Sequence, residues 1–376
     1  MNAFSLIGPS LARYGSKTFL FFKGHNNEHI WEGEHTGSEW EGHGRVNDGR
    51  DPTSWAFTIA EPVSFTYTLP AITRGVAPRL EQTHIYLIFR GHNNSYVWYT
   101  RREIRRPYGG GVSFENWETP RYIPETVAQY APGAAMHAWG RDDDPVMTIA
   151  YTDDSHRIRL KRAYESTRPL RHRTPFEWRD IPAIPSDYES GSGVTVISFK
   201  EKLYVFFRGN IRGHDDSPWH RPIPDPQLYY AVSHSNNPND PDWEVHVVPY
   251  AYSMLSPTAT LHTFRRSTPI ETVEEESLII AFKGHNNNYI WLRKFDGERW
   301  QNLGWIDGVC TSQRPAILSS GGYSFTLAFI PEWKSTRGID PNIAVGTLYI
   351  NSGHEGDYAD HEWNRTQGTD ACFCAE

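Results

Sequence analysis

The stretch Ser277-Leu-Ile-Ile-Ala-Phe-Lys-Gly-His-Asn-Asn-Asn-Tyr-Ile-Trp291 decides the fold, because the chain repeats it. In this stretch an apolar run and a cation lead into a Gly-His-Asn-Asn turn, and a second apolar run ends at a tryptophan. Close copies run from Thr18 to Trp31 and from His84 to Trp98, and a fourth copy begins at Lys202. Glycine and asparagine supply the left-handed backbone angles of tight turns, so each copy predicts two antiparallel strands joined by a turn.

A further tryptophan follows each copy, and two degenerate copies, 146–160 and 324–350, keep only the strands. The spacings between these tryptophans are 77, 61, 65, 57 and 63 residues. Six copies of a unit with four antiparallel strands predict an all-β, six-bladed β-propeller over residues 1–376, in place of the two or three domains that ~150 residues per domain would give. The blades are expected to end near Trp40, Trp117, Trp178, Trp243, Trp300 and Trp363, with residues 366–376 as a C-terminal tail.

The composition is that of a folded β-protein, since 38% of the 376 residues are hydrophobic and 14% are aromatic. No apolar run reaches the ~18–20 residues of a membrane span, and the N-terminal residues lack the features of a secretory signal. A formal charge of −8 gives no reason to expect nucleic acid or a membrane as partner. Three cysteines, two of them in Cys372-Phe-Cys374, argue against a disulfide framework. We therefore predict a cytoplasmic protein without a disulfide framework.

Propeller topology predicts which face carries the site. The turns between the second and third strands share a face with the connections from one blade to the next. Those connections are long here, at 41–83, 118–133 and 247–256, and the insertion 211–227 falls on the same face. Long loops on a rigid scaffold usually carry function. We therefore expect a pocket on or near the axis at the face of the Gly-His-Asn-Asn turns.

The candidate site residues fall into two groups. The innermost strands contain polar residues among small apolar ones, and these are the candidate catalytic residues: Arg13, His137 and His262. The turns and the adjacent strands supply candidate substrate-binding residues, which are His25, His92, His285, Trp31, Trp98, Trp291, Lys23, Arg90 and Lys283. Two interpretations of the turn residues stay open at this point. They either stabilise the turns, or they form a ring of imidazoles, cations and indoles around the mouth of the channel.

The sequence contains no hydrolytic, dinucleotide-binding, phosphate-binding or zinc-protease motif. Asp142-Asp-Asp144 lacks the glycine of a calcium loop, and the cysteines lack a fourth ligand for zinc. We therefore expect no metal and no cofactor.

The strand, Gly/Asn turn, strand and Trp pattern resembles the fungal fucose-binding lectin propellers over essentially the whole chain. In that family each pocket between blades uses an Arg, a Glu and an aromatic residue. Here Glu32 occupies the acidic position in the first blade only. The equivalent positions hold Tyr99, Leu160, Tyr230, Leu292 and Ile350. The resemblance implies the scaffold, and a glycan partner at few surviving sites.

The chain is also loosely similar to lectin-like propellers that act as hetero-Diels–Alderases in fungal biosynthesis. This resemblance implies a cofactor-free enzyme that promotes a cyclisation or cycloaddition of a hydrophobic small molecule, such as a terpenoid or polyketide. Such a reaction needs a cavity that holds two partners in a near-attack arrangement and a few hydrogen-bond donors. The first functional hypothesis is therefore such a cyclase, and the alternative is a carbohydrate-binding lectin.

Overall fold

The computed structural model describes residues 5, 7–25, 27–35, 40–47, 56–69, 82–106, 111–139, 145–165, 176–210, 226–267, 272–332, 343–350 and 361–367. Within these residues the structure contains twenty-five β-strands in six antiparallel sheets. None of the described residues belongs to a helix that is long and apolar enough to cross a membrane.

Each sheet is one continuous segment of the chain. The first three contain β1 (Ser10–Tyr14), β2 (Lys17–Lys23), β3 (Ile30–His35) and β4 (Trp40–Arg45); β5 (Val63–Leu69), β6 (Gln82–Arg90), β7 (Tyr96–Arg105), β8 (Ser113–Phe114) and β9 (Arg121–Val127); and β10 (Gly133–His137), β11 (Val146–Thr152), β12 (Ile158–Glu165) and β13 (Phe176–Ile181). The last three contain β14 (Ser190–Phe199), β15 (Lys202–Gly209), β16 (Gln227–Ser233) and β17 (Trp243–Tyr252); β18 (Thr258–Ser267), β19 (Thr272–Lys283), β20 (Tyr289–Phe295) and β21 (Trp300–Cys310); and β22 (Ala316–Gly321), β23 (Ser324–Phe329), β24 (Ala344–Ile350) and β25 (His361–Gln367).

The six sheets close into a ring. The innermost strands β1, β5, β10, β14, β18 and β22 contact one another in that order, and β22 contacts β1. Six hydrophobic clusters of buried residues fill the spaces between neighbouring blades, including the space between blades six and one. Apolar side chains on both faces of each sheet are thereby removed from water, which is the main source of the stability of this fold. The predicted six-bladed β-propeller is confirmed.

Blade two departs from the predicted four strands. β7 pairs with the two-residue β8 over one part of its length and with β9 over another. Trp117 lies between β8 and β9 and outside any strand, whereas the other five blade-ending tryptophans lie within outer strands. The segment between β8 and β9 keeps only irregular contacts with β7, in which Glu115 N donates to Glu103 O at 3.0 Å and Glu118 N to Arg101 O at 2.8 Å. Regular pairing resumes at β9, after Pro120, which has no N–H to donate to a ladder. The strand predicted at Trp117 is therefore wrong.

The turns between second and third strands lie beside the connections between blades. Equivalent backbone hydrogen bonds show this in three blades: Thr58 N to Glu28 O at 2.8 Å, Ala128 N to Ser95 O at 2.7 Å and Thr311 N to Asn288 O at 2.7 Å. The predicted shared face is therefore present. The predicted connection 41–83 is too long, because β5 (Val63–Leu69) lies within it and residues 70–81 join β5 to β6 inside blade two. Residues 48–55, 70–81 and 211–225, Asp142-Asp-Asp144 and the end of the chain after Gln367 lie outside the described residues.

Cys310 is the last residue of β21, is buried, and is disulfide-bonded. The sequence analysis did not anticipate this bond, although a single bridge is not a disulfide framework. An odd number of cysteines excludes complete pairing, but it is compatible with a single bridge.

Candidate functional site

The Gly-His-Asn-Asn turns are held by one amide oxygen. In blade five Asn287 Oδ1 accepts hydrogen bonds from Trp291 Nε1 at 3.1 Å and from the backbone N–H of Tyr289 at 3.3 Å. Gly284 permits this arrangement, because a Cβ at that position would lie 2.1 Å from Asn287 Oδ1 and 2.8 Å from Trp291 Nε1. The same pair of bonds recurs at Asn27 and at Asn94. The asparagine, glycine and tryptophan of the repeat therefore stabilise the turn.

The cations before the glycines bind local partners. Lys23 Nζ lies 2.9 Å from Glu28 Oε2, and Arg90 donates from Nη2 to Ser95 Oγ at 2.7 Å. Lys283 Nζ donates to Gly284 O at 3.4 Å, and burial lowers the pKa of this lysine. These three side chains therefore stabilise the turns that follow them.

The turn histidines lie between the second and third strands of blades one, two and five. His25 is exposed, and His92 and His285 are partly exposed. His92 Nδ1 is 3.9 Å from Glu28 Oε2, the carboxylate that also contacts Lys23. Within each of blades one, two and five, the structure therefore brings the predicted cation, histidine and tryptophan together around one turn. The described residues that line the axial cavity do not include the three histidines.

Each of these tryptophans faces a large side chain on the neighbouring strand, and the sequence analysis did not anticipate these partners. Trp291 is opposite Trp305, with ring centroids 5.1 Å apart, and Trp98 is opposite Tyr122, at 5.8 Å. Trp305 and Tyr122 are 44% and 55% exposed, which is unusual for rings of this size. In blade one the opposite residue is Arg45, whose Cζ lies 5.4 Å from the Trp31 ring. We call these three pairs, which occupy one equivalent position in their blades, the rim platforms.

The acidic position that resembles a lectin pocket is closed. The Glu32 carboxylate is buried and accepts hydrogen bonds from Arg102 Nη1 at 3.3 Å, from Arg102 Nη2 and from Trp117 Nε1 at 2.9 Å. The Arg102 guanidinium also lies over the rings of Phe19 and Phe114. This carboxylate therefore joins blades one and two and has no free face for a sugar.

A cavity of about 440 Å³ lies on the axis and is lined by all six innermost strands. Its described lining combines small apolar residues with hydroxyl groups and contains two arginines, Arg13 and Arg314, and no Asp or Glu. Arg13 Nε donates to Gly15 O at 2.9 Å and Nη1 donates to Ser319 O at 3.3 Å. Arg13 is therefore the one predicted catalytic residue that the structure places in the axial cavity.

His137 and His262 point between blades, which corrects the expectation that they face the channel. His137 Nδ1 is 2.9 Å from Ser198 Oγ, and His262 Nδ1 is 2.8 Å from Ser319 Oγ. Burial lowers the pKa of both, to about 4 for His137. The reason for the correction is that successive side chains of a strand alternate in direction, so a polar residue on an innermost strand can face a neighbouring blade instead of the channel. Both imidazoles join neighbouring innermost strands.

One group of side chains in the described part of the chain has metal-ligand geometry. The ligand atoms of His234, Glu244 and His246 all lie within 4.8 Å of one another on blade four. Glu244 contacts both imidazoles, at 2.7 Å and 3.1 Å, and all three residues are partly or fully exposed. Lys202 Nζ lies 3.4 Å from His234 Nδ1, so a cation already approaches this group.

Solved structures of other proteins share this fold. No protein-family profile and no curated protein sequence matches the chain. Among solved structures, the fucose-specific lectin from Aleuria aurantia has a TM-score of 0.54 at 12% identity, over 99% of this chain and 99% of the lectin. AofleA from Arthrobotrys oligospora has a TM-score of 0.58 at 10% identity, over 98% of this chain and 89% of the other. The α-L-arabinofuranosidase of Fusarium graminearum has a TM-score of 0.53 at 10% identity, over 93% of this chain and 97% of the enzyme. The likeness is one of fold.

Proposed function

We propose that the protein binds carbohydrate at the rim platforms. The observation that carries this proposal is the recurrence of an exposed aromatic pair at one position of blades two and five, Trp98 with Tyr122 and Trp291 with Trp305. An aromatic ring with a polar neighbour suits a ligand that has one apolar face and a hydroxylated edge, which describes a sugar ring. The adjacent turns supply imidazole and amide groups for those hydroxyls.

The neighbours in fold support a glycan as the ligand. One is a fucose-specific lectin and one is an α-L-arabinofuranosidase. Hydrolysis of a glycosidic bond generally needs a pair of carboxylates on either side of the bond. The described lining of the axial cavity holds no carboxylate, so that cavity does not supply such a pair. Repeated sites also give avidity to a multivalent glycan.

A glycan array tests this proposal. We expect the wild-type protein to bind a subset of glycans, and the double variant Tyr122→Ala, Trp305→Ala to bind them about 2- to 13-fold more weakly at each altered platform, because each ring contact contributes roughly 0.5–1.5 kcal/mol. Tyr323→Ala is the matched control, since Tyr323 is 43% exposed and lies in the turn between β22 and β23 on the opposite face. Absence of glycan binding, or equal binding by the double variant, would contradict the proposal.

The axial cavity favours a second candidate function, a cofactor-free cyclisation of a hydrophobic small molecule. Its volume of about 440 Å³ falls within the roughly 300–1,000 Å³ typical of ligand pockets. Arg13, one of the two arginines in the described lining, is the hydrogen-bond donor that we assign to polarise a substrate there. The test is the coupling of a quinone methide, generated in solution, to a sesquiterpene alkene. Acceleration over buffer that falls about 10²–10³-fold in Arg13→Gln would support the cyclase, and no acceleration would contradict it.

A further inference from the structure

Arg314 is a buried cation on the wall of the axial cavity. It precedes β22 in blade six, is 5% exposed, and donates from Nη2 to the hydroxyl of Thr195 on β14 of blade four. Thr195 Oγ1 in turn donates to Pro257 O, just before β18 of blade five. The guanidinium of Arg314 therefore links blade six to blade four by a hydrogen bond. This link lies at the end of the cavity where the innermost strands begin.

The guanidinium of Arg314 lacks the partners that a buried arginine normally has. Within the part of the chain that the structure describes, the bond to Thr195 is the only hydrogen bond of the Arg314 guanidinium. Burial lowers the pKa of Arg314, and the charge of Glu61 partly opposes this effect. Among the described residues, however, the Glu61 carboxylate and the Arg314 guanidinium form no ion pair within 4 Å. Arg293, buried to a similar extent, donates to Leu292 O, Asn302 Oδ1 and Tyr250 O.

The charged residues among the described lining of the cavity are both cations, and the nearby Glu61 is not part of that lining. Arg13 donates to the backbone of Ser319, which lies five residues after Arg314. At the rise of an extended strand, five residues span about 16 Å, so the two arginines lie at different depths of the cavity. Both arginines line the cavity and no described lining residue is acidic. The chain as a whole carries a net charge of −8, so this positive interior contrasts with the rest of the molecule. An uncompensated charge away from water is costly, and an anion in the cavity offsets that cost.

We infer that the axial cavity binds a small organic carboxylate, with Arg314 and Thr195 as its anchor. A guanidinium presents two parallel N–H groups that match a carboxylate, and one cation balances one negative charge. The remaining wall near this end is formed by small apolar residues such as Ala134, Val196 and Ala259, which suit an apolar body attached to the carboxylate. This site is separate from the rim platforms, so it does not depend on the proposed glycan binding.

Benzoate, neutral benzamide and inorganic phosphate, compared at constant ionic strength, test the inference on the full-length protein. We expect benzoate to raise the melting temperature of the wild type in a saturable manner, and benzamide and phosphate to have no such effect. Titration calorimetry should show that Arg314→Met weakens benzoate binding about 10- to 100-fold, the loss expected for one charge-assisted anchor. The melting temperature of ligand-free Arg314→Met should be unchanged or higher, because an unpaired buried charge is removed.

Arg293→Met is the matched control. It removes a well-partnered buried arginine outside the described lining of the cavity, so it should lower the melting temperature and leave benzoate affinity unchanged. The inference is overturned if benzoate has no effect, if benzamide or phosphate matches it, or if Arg314→Met binds benzoate as the wild type does. A ligand-free Arg314→Met that melts as low as Arg293→Met would assign Arg314 a structural role instead. Glycan-array binding by Arg314→Met, measured in parallel, reports on the rim platforms independently.

Discussion

The ring of His137 lies between blades three and four, edge-on to Trp139 at 4.9 Å and with Nδ1 2.9 Å from Ser198 Oγ. Burial lowers its pKa from 6.5 to about 4, because the imidazolium would lose its hydration there. In the unfolded chain this pKa returns to about 6.5, so between pH 6.5 and pH 4 the unfolded state binds more protons. The free energy of unfolding therefore falls as the pH falls through this window.

We predict that this group removes about 3 kcal/mol of stability between pH 7 and pH 4. His137→Asn keeps a hydrogen-bonding atom near the position of Nδ1 and does not titrate. Denaturant unfolding across this pH range should therefore show a shallower loss of stability for His137→Asn than for the wild type. His25→Asn, at an exposed turn, is the control for the loss of one histidine. Parallel pH profiles for wild type and His137→Asn would show that the imidazole is not the sensitive group.

At the scale of elements, the turn of blade five depends on a single acceptor. Asn287→Ala would leave the indole N–H of Trp291 and the backbone N–H of Tyr289 without Asn287 Oδ1. We expect a loss of about 1–3 kcal/mol in the free energy of unfolding, the cost of partly buried donors that lose their acceptor. Asn287→Asp retains an acceptor oxygen and should stay much closer to the wild type. Denaturant unfolding measures both, and equal losses would contradict this account of the turn.

The same elements show how much the sequence could predict. The turns and the strands beside them followed from local residue types, because glycine, asparagine and alternating apolar residues act over a few positions. The rim platforms could not be predicted in this way, because they depend on the pairing register between the third strand of a blade and its neighbour. The ladders shift between Tyr289 and Trp291 and between Tyr96 and Trp98, so the residue opposite each tryptophan cannot be counted from the repeat. The orientations of His137 and His262 likewise depend on packing between blades.

At the scale of the whole molecule, the blades are joined mainly by side-chain packing, and Cys310 adds a covalent link at the edge of blade five. We predict that reduction lowers the free energy of unfolding by roughly 2–4 kcal/mol, the usual contribution of a disulfide bond. Guanidinium unfolding with and without a phosphine reductant measures this. Cys310→Ser should resemble the reduced wild type and should not respond to reductant. Identical curves for oxidised and reduced wild type would contradict the prediction.

Every blade is one continuous segment, and hydrogen-bonded ladders between strands lie within blades, not between them. The molecule is therefore mechanically modular. If a reduced chain is pulled from its two ends, the force acts first on the packing between blades six and one, and the ring opens into a row of separate sheets. Each sheet then unravels by itself, releasing about 60 residues and about 200 Å of contour length, at the span of an extended residue. An optical trap would record a staircase of near-equal steps, one for each blade.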